Sequence, residues 1–233
     1  MEELNDSDKL KRVRIGLFGG TFNPIHMGHL QAAKDVQRFF ALDKIYLIPS
    51  ALPPHKAPNG VVDAEDRLEM IRLAIPSHPD IQVSDVELKR SGPSYTIDTV
   101  VHFKSSLPTE NELFLIAGLD AFLEIDTWKS YTELIRLIPL IVMARPGIGN
   151  NACILEWKTI EEYLHSTISP DYIFSETREC YLHPEKQPIF RFNGNPRDVS
   201  STEIRTLIKK GASIKDLVPE SVEEFIKAKG LYQ

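Results

Sequence analysis

Val13-Arg14-Ile15-Gly16-Leu17-Phe18-Gly19-Gly20-Thr21-Phe22-Asn23-Pro24-Ile25-His26-Met27-Gly28-His29 is the stretch that decides the fold. Residues 13–18 are a short, largely apolar run, which predicts a strand buried on both faces. Gly19 and Gly20 break it. From His26 or Met27 to Phe40 the apolar residues Leu30, Ala33, Val36, Phe39 and Phe40 recur at three- and four-residue intervals, which predicts a helix. A strand, a glycine turn and a helix in that order open a parallel α/β sheet. Two glycines let the backbone approach a phosphate closely and tolerate dihedrals that other residues avoid. The helix behind them offers N–H groups and a positive dipole end to an anion. His26 and His29, three apart, share one helical face, and their ring N–H groups suit phosphate oxygens.

The same alternation continues along the chain. Strands are expected at 44–49 (KIYLIP), 82–88, 112–117 (ELFLIA) and 140–144 (LIVMA), and helices at 63–75, 95–103 and in segments of 121–137. Residues 148–199 read less clearly, with a helix near 154–165 and a strand at 188–192. Helices at 200–210 and 219–229 are closed by Gly211 and Gly230. The expected fold class is α/β: a doubly wound, Rossmann-like parallel sheet with helices on both faces and a small helical C-terminal part. A ligand crevice is expected at the strand C-terminal ends. The expected division is residues 1–12 as an extension, 13–199 as the Rossmann-like domain, and 200–233 as a helical part packed on it.

The 233 residues carry a formal charge of −6, with 42 % apolar and 26 % charged residues, the balance of an ordinary folded domain. The acidic balance argues against broad nucleic-acid binding, which needs a basic face. The longest apolar stretch, near 137–144, is interrupted by Pro139 and is too short for a membrane span of about 20 residues. The start, MEELNDSDKLKR, lacks the apolar centre of a secretory signal. Cys153 and Cys180 alone build neither a disulfide framework nor a four-thiolate zinc site. A cytoplasmic protein with small-molecule partners, without nucleic acid or membrane, is the expectation.

Other readings of the glycine turn fit less well. It lacks the G-x-G-x-x-G of a dehydrogenase and the terminal Gly-Lys-Ser/Thr of a P-loop. Zinc on the His pair would need further ligands, and none is obvious. A plain tight turn with two surface histidines competes, but two histidines directly after a buried strand weaken it. A second signal is Ser200-Ser201-Thr202-Glu203-Ile204-Arg205. Ser200 and Glu203 alone make a capping box, so a well-capped helix is the modest reading. Arg205 is extra, and its planar fork suits phosphate.

Together these segments resemble the nucleotidylyltransferase superfamily. Gly20, Phe22, Pro24, His26, Gly28 and His29 fill its G-x-F-x-P-x-H-x-G-H turn, and Ser200, Thr202 and Arg205 its late S-x-T-x-x-R helix. Within it the chain is similar to the bacterial nicotinate-mononucleotide adenylyltransferase family. That likeness rests on residues 48–56 (IPSALPPHK), 87–90 (ELKR), 93–96 (PSYT), Gly118-Leu119-Asp120, Thr127-Trp128 and Arg145-Pro146-Gly147. It implies the reaction of nicotinate mononucleotide with ATP to give nicotinate adenine dinucleotide and pyrophosphate, a step of NAD biosynthesis, assisted by magnesium (Mg2+). Magnesium is expected mainly on nucleotide phosphates and water, with no side-chain metal ligands.

The chemistry implied needs no side-chain nucleophile, because a phosphate oxygen is already ionised at neutral pH. Positioning and charge stabilisation carry such transfers. The resemblance assigns His26, His29, Arg205 and Lys56 catalytic roles. Gly19, Gly20, Thr21, Phe22, His26, His29, Ser201, Thr202 and Arg205 are expected to bind ATP. Ser50, Lys56, Thr96, Gly118, Asp120 and Trp128 are expected at the mononucleotide, with Trp128 stacking and Asp120 accepting from a ribose hydroxyl. Without the resemblance, Trp128 would read as core, Asp120 as a helix cap and Lys56 as a solvated loop lysine. Lys129 stands where the family has an aromatic residue, and would either attract the pyridine carboxylate or face water. Asp198 would repel phosphates unless turned away. The alternatives are a sister adenylyltransferase such as phosphopantetheine adenylyltransferase, or a non-catalytic nucleotide-binding regulator.

Overall fold

A computed structural model describes residues 12–51, 60–144, 152–194 and 199–233. The first half contains β1 (Arg14–Gly20), α1 (Met27–Phe39), β2 (Lys44–Pro49), α2 (Ala64–Ala74), β3 (Ile81–Val83), α3 (Thr96–Ser106) and β4 (Glu112–Gly118). A short α4 (Leu119–Phe122), a 3₁₀ turn (Ile125–Thr127) and α5 (Tyr131–Leu137) lead to β5 (Leu140–Ala144). After α6 (Ala152–Tyr163) and a wide π turn (Leu164–Ile168) come β6 (Ile173–Ser175), β7 (Cys180–Leu182) and β8 (Ile189–Asn193). Helices α7 (Ser201–Lys209) and α8 (Glu220–Lys229) follow.

The strands form one sheet in the order β3-β2-β1-β4-β5-β8-β7-β6. Pairing is parallel from β3 across to β8. It is antiparallel from β8 through β7 to β6. Because side chains alternate across a strand, each strand feeds two cores. Ile15, Leu17, Leu113, Leu115, Leu140 and Val142 pack beneath α3–α6, whereas Phe18, Ile45, Leu47, Phe114, Ile116 and Ile141 pack beneath α1, α2, α7 and α8. Leu17, Ile45 and Leu47 are fully enclosed, each worth roughly 1.5–3 kcal/mol relative to exposure. The doubly wound α/β expectation is met, with an antiparallel edge added.

One expectation changes. The strand expected at 82–88 is only Ile81–Val83. Ser84 N–H makes the last bond to the Leu47 carbonyl, and a turn closed by Lys89 N–H to the Asp85 carbonyl carries Val86 into the other core. The apolar alternation there reflects two burial environments rather than one extended strand. The helix expected near 154–165 and the strand expected at 188–192 are met by α6 and β8; β8 pairs with β5, and the short β6–β7 hairpin, which the sequence did not indicate, completes the edge.

The last two helices belong to the α1–α2 face. Ile204, Ile214, Val218, Val222, Ile226 and Tyr232 are all buried there. Helix α7 is capped by Ser200, whose Oγ accepts from the Glu203 N–H at 3.1 Å. Gly230 closes α8 in the left-handed region at φ 61°. Among the described residues no helix is long and apolar enough to cross a membrane. The strand order reverses between β1 and β4, so their C-terminal ends splay apart and leave a crevice.

Candidate active site

Gly19 and Gly20 end β1 on one side of this crevice and Gly118 ends β4 on the other. Their role differs from the one expected. Neither Gly19 nor Gly20 has a left-handed φ; the left-handed residue of the turn is Phe22, at φ 48°. What Gly19 and Gly118 contribute is space, since a Cβ on either would meet no atom within 4 Å. Gly20 makes room differently: a Cβ there would lie 3.0–3.3 Å from the Phe22 ring, which folds back over the strand end. A cavity of about 370 Å³ opens beside them, lined also by Thr21, Ser50, Thr96 and Trp128.

The histidine pair is built into the start of α1. His26 is the N-cap residue, with extended backbone, and His29 sits at the third helical position. The His29 N–H donates to His26 Nδ1 and the His26 N–H donates to His29 Nδ1, both at 3.3 Å. The pair is a capping box made of imidazoles. Its rings stack at 3.6 Å between centroids, 26° from parallel. Both Nδ1 atoms accept, which assigns each neutral ring the tautomer with its proton on Nε2. The first helical amide, on Met27, donates to the Leu217 carbonyl at 2.9 Å. The start of α1 therefore brings imidazoles to an anion more than it brings backbone amides.

Helix α7 docks directly on this turn. Arg205 Nη1 donates to the Asn23 carbonyl at 2.8 Å, and Nη2 to Thr202 Oγ1 at 3.2 Å. Ser201 Oγ donates to the Pro24 carbonyl at 2.9 Å. The two segments read separately in sequence thus meet three residues from His26. A guanidinium has five N–H groups, so Arg205 anchors the loop while it remains partly open to solvent. The Ser201 proton is committed to Pro24, which makes that hydroxyl a tie between helix and loop.

The turn is buried from Phe22 through His26. Asn23 holds it from within: Nδ2 donates to the Gly60 carbonyl at 2.8 Å, and Oδ1 accepts from the Val62 N–H at 3.2 Å and from the Tyr232 hydroxyl at 2.8 Å. Arg67, 1 % exposed on α2, donates to three carbonyls: Thr21 at 2.8 Å, Val62 at 3.0 Å and Ala51 at 3.2 Å. Burial lowers its pKa, offset in part by Tyr232 and Asp63.

At the other end of the cavity, Thr96 opens α3 and Trp128 follows the 3₁₀ turn. Trp128 is half-buried: it lines the cavity and also packs against the core under α3–α6. Ser50 Oγ is buried with no hydrogen-bond partner among the described residues, and it lines the same cavity. Lys129 Nζ pairs with Asp98 at 3.1 Å and lies 4.6 Å over the Tyr95 ring, at the cavity wall. The buried Glu87 carboxylate accepts from the Thr99 hydroxyl at 2.7 Å and fastens α3 to the segment after β3.

The cytidylyltransferase-like family pattern matches residues 17–207. A relative from Desulfatibacillum aliphaticivorans, named "Probable nicotinate-nucleotide adenylyltransferase", is 44 % identical over 94 % of this chain and 100 % of its own length. Another of the same name, from Geotalea daltonii, is 37 % identical over 94 % of this chain and 98 % of its own. The chain belongs to the cytidylyltransferase-like family, and within it to the nicotinate-nucleotide adenylyltransferases. The fold is shared with the Plasmodium falciparum nicotinic acid mononucleotide adenylyltransferase. In its structure complexed with NaAD it superposes with a TM-score of 0.68 at 18 % identity, covering 95 % of this chain and 98 % of that one. Its structure complexed with APC gives 0.67 at 17 % identity, with the same coverage.

In this adenylyltransferase fold the expected residues fall into three groups. Gly19, Gly20, Thr21, Phe22, His26, His29, Ser201, Thr202 and Arg205 gather around the β1–α1 turn, and Ser50, Thr96, Gly118 and Trp128 line the adjoining cavity. Asp120 does not join them: it is exposed in the first turn of α4, where Gly118 is the cap, and it lies outside the cavity lining. Lys56, Arg145 and Asp198 lie outside the described residues. Sequence reading missed Asn23, Arg67, Glu87 and Tyr232. Asn23 sat inside a quoted motif; Arg67 had no local signal, being one charged residue on an amphipathic helix. Arg67→Met removes the donors from three part-buried carbonyls. It should destabilise the protein by at least about 2 kcal/mol in urea unfolding, while Arg72→Met on the exposed side of α2 changes stability by less than about 0.5 kcal/mol.

Proposed function

We propose that this protein joins nicotinate mononucleotide and ATP to give nicotinate adenine dinucleotide and pyrophosphate, a step of NAD biosynthesis. The observation that carries the reading is the docking of Arg205 on the Asn23 carbonyl at 2.8 Å, which ties a guanidinium to the turn that runs from the cavity-lining Gly19, Gly20 and Thr21 to the imidazole pair. The mononucleotide phosphate oxygen attacks the α-phosphorus of ATP; the bond from that phosphorus to the bridging oxygen breaks, and pyrophosphate leaves. His26 and His29, with protons on Nε2, donate to phosphate oxygens whose charge grows in the transition state. Arg205 holds the leaving diphosphate. Gly19, Gly20, Thr21 and Phe22 let the polyphosphate lie close to the end of β1, and Thr202 and Ser201 fix α7 against it.

The pyridine ring stacks on Trp128, its carboxylate meets N–H groups at the start of α3 near Thr96, and Gly118 leaves room for the ribose. The Ser50 hydroxyl gains its missing partner from the bound mononucleotide. The Lys129–Asp98 pair at the cavity wall is neutral as a unit, so it screens the carboxylate without binding it in isolation. Magnesium enters with the triphosphate. Among the described residues no group of three or more His, Cys, Asp or Glu is placed to hold a metal ion, and the donors at the turn suit an anion. No step is routed through the metal.

Incubation with ATP, magnesium and either nicotinate mononucleotide or phosphopantetheine, with product masses identified, tests the reading. Nicotinate adenine dinucleotide is expected; preference for phosphopantetheine, or ATP binding with no product, would refute it. His26→Ala and Arg205→Ala should each lower kcat by at least tenfold with circular dichroism unchanged, because losing one charge-stabilising donor costs about 2.7–4 kcal/mol. Trp128→Ala should raise KM for the mononucleotide more than it lowers kcat; an unchanged KM would return Trp128 to the core.

A further inference from the structure

We propose that Tyr232 is a positioning residue for the ATP side of the site, acting through Asn23 on Arg205 and the β1–α1 turn. The proposal rests on the reading that this turn and Arg205 meet ATP. Tyr232 lies two residues beyond the Gly230 cap of α8, with its ring in the α1–α2 core and 9 % of its surface exposed. Its hydroxyl donates to Asn23 Oδ1 at 2.8 Å across a separation of 209 residues. Its backbone is held in the left-handed region, at φ 67°, which a non-glycine residue adopts only when its surroundings over-determine it. Phe22, next to Asn23, is held in the same region at φ 48°. Two strained residues are therefore joined through one amide.

That amide leaves little slack. Oδ1 has two acceptor positions, and Tyr232 and Val62 take them; Nδ2 donates to Gly60; the backbone carbonyl of the same residue receives Arg205. Removing the phenol oxygen releases one of these restraints, and the carbonyl that aims the guanidinium gains freedom. Burial raises the Tyr232 phenol above its ordinary range, against the opposing pull of Arg205 and Arg67, so it stays a donor across the working pH range. The mononucleotide cavity is separate: neither Tyr232 nor Asn23 lines it. The effect should thus fall on one substrate.

Tyr232→Phe keeps the ring and removes the donor. Binding of ATP with magnesium, measured without the second substrate, should weaken at least fivefold. In turnover, kcat/KM for ATP should fall at least fivefold, while KM for nicotinate mononucleotide stays within twofold. In an Arg205→Ala background the same substitution should change ATP affinity by less than twofold, because the group it positions is gone. 4-Aminophenylalanine at position 232, which restores an N–H donor, should recover most of the affinity; it also serves as the test variant if Tyr232→Phe does not fold. ATP affinity within twofold of wild type in Tyr232→Phe, an equal loss in the Arg205→Ala background, or no recovery with the amine would overturn the proposal. Wild-type protein that binds ATP but makes no dinucleotide refutes the assigned reaction alone, and the ATP-binding ratios then still decide the role of Tyr232.

Discussion

An irregular loop can be buried only if its backbone polar groups find partners, and the turn between β1 and α1 is buried from Phe22 to His26. Helix α1 partners the His26 carbonyl, through the His29 and Leu30 N–H groups, but not the carbonyls of Thr21, Asn23 and Pro24. Side chains from distant elements do: Arg67 for Thr21, Arg205 for Asn23 and Ser201 for Pro24. Two of these three come from α7, whose sequence reads as an anion-binding helix. Helix α7 is therefore part of what makes the buried β1–α1 turn possible. Neutral carbonyls accepting from guanidinium groups leave the cation's charge uncancelled, which a carboxylate partner would not.

The same economy governs the histidines. A serine and a glutamate would cap α1 equally well, but their hydrogen bonds would present carboxylate and hydroxyl to the crevice. Imidazoles at both positions accept from the cap and third-position amides through Nδ1, in the tautomer that carries its proton on Nε2. The cap fixes both tautomer and ring orientation before any ligand arrives. Preorganised donors of this kind stabilise developing charge without reorganising at the moment of reaction. A reaction whose nucleophile is already an anion needs little more from the protein.

Legibility in the sequence followed chain distance. The strand, turn and helix of residues 13–40, the cap at Ser200 and the stop at Gly230 are local patterns, and periodicity plus turn chemistry exposes them. The meeting of Arg205 with the first motif was legible only through a family resemblance, since nothing in either segment names the other. Asn23–Tyr232 and the three carbonyls on Arg67 carried no local signal at all. Residues 82–88 misled because Val83 packs, half-buried, against one core and Val86 is buried in the other, so alternation marked a turn between two cores. At Asp120 the pattern Gly-Leu-Asp after a strand fits a ligand-facing loop and a helix start alike; Gly118 takes the cap, and Asp120 is exposed in the first turn of α4.

At the glycines the two expected reasons part: the open space is there, and the left-handed dihedral is not. Backbone freedom is the usual argument for a Gly-Gly pair, yet the left-handed φ of this turn belongs to Phe22, a residue that pays sterically for it. The strain is tolerable because the Phe22 ring then packs against Phe18 and His29, at 5.8 and 5.0 Å between centroids, over the face that Gly20 leaves bare. Gly19 and Gly118, by contrast, sit on neighbouring strands with open space where side chains would stand. Any larger residue at either position would occupy the crevice itself. Volume subtracted at Gly19 and Gly118 and strain stored at Phe22 thus act together: the first keeps the crevice open, and the second sets the Phe22 ring against His29 at the start of α1.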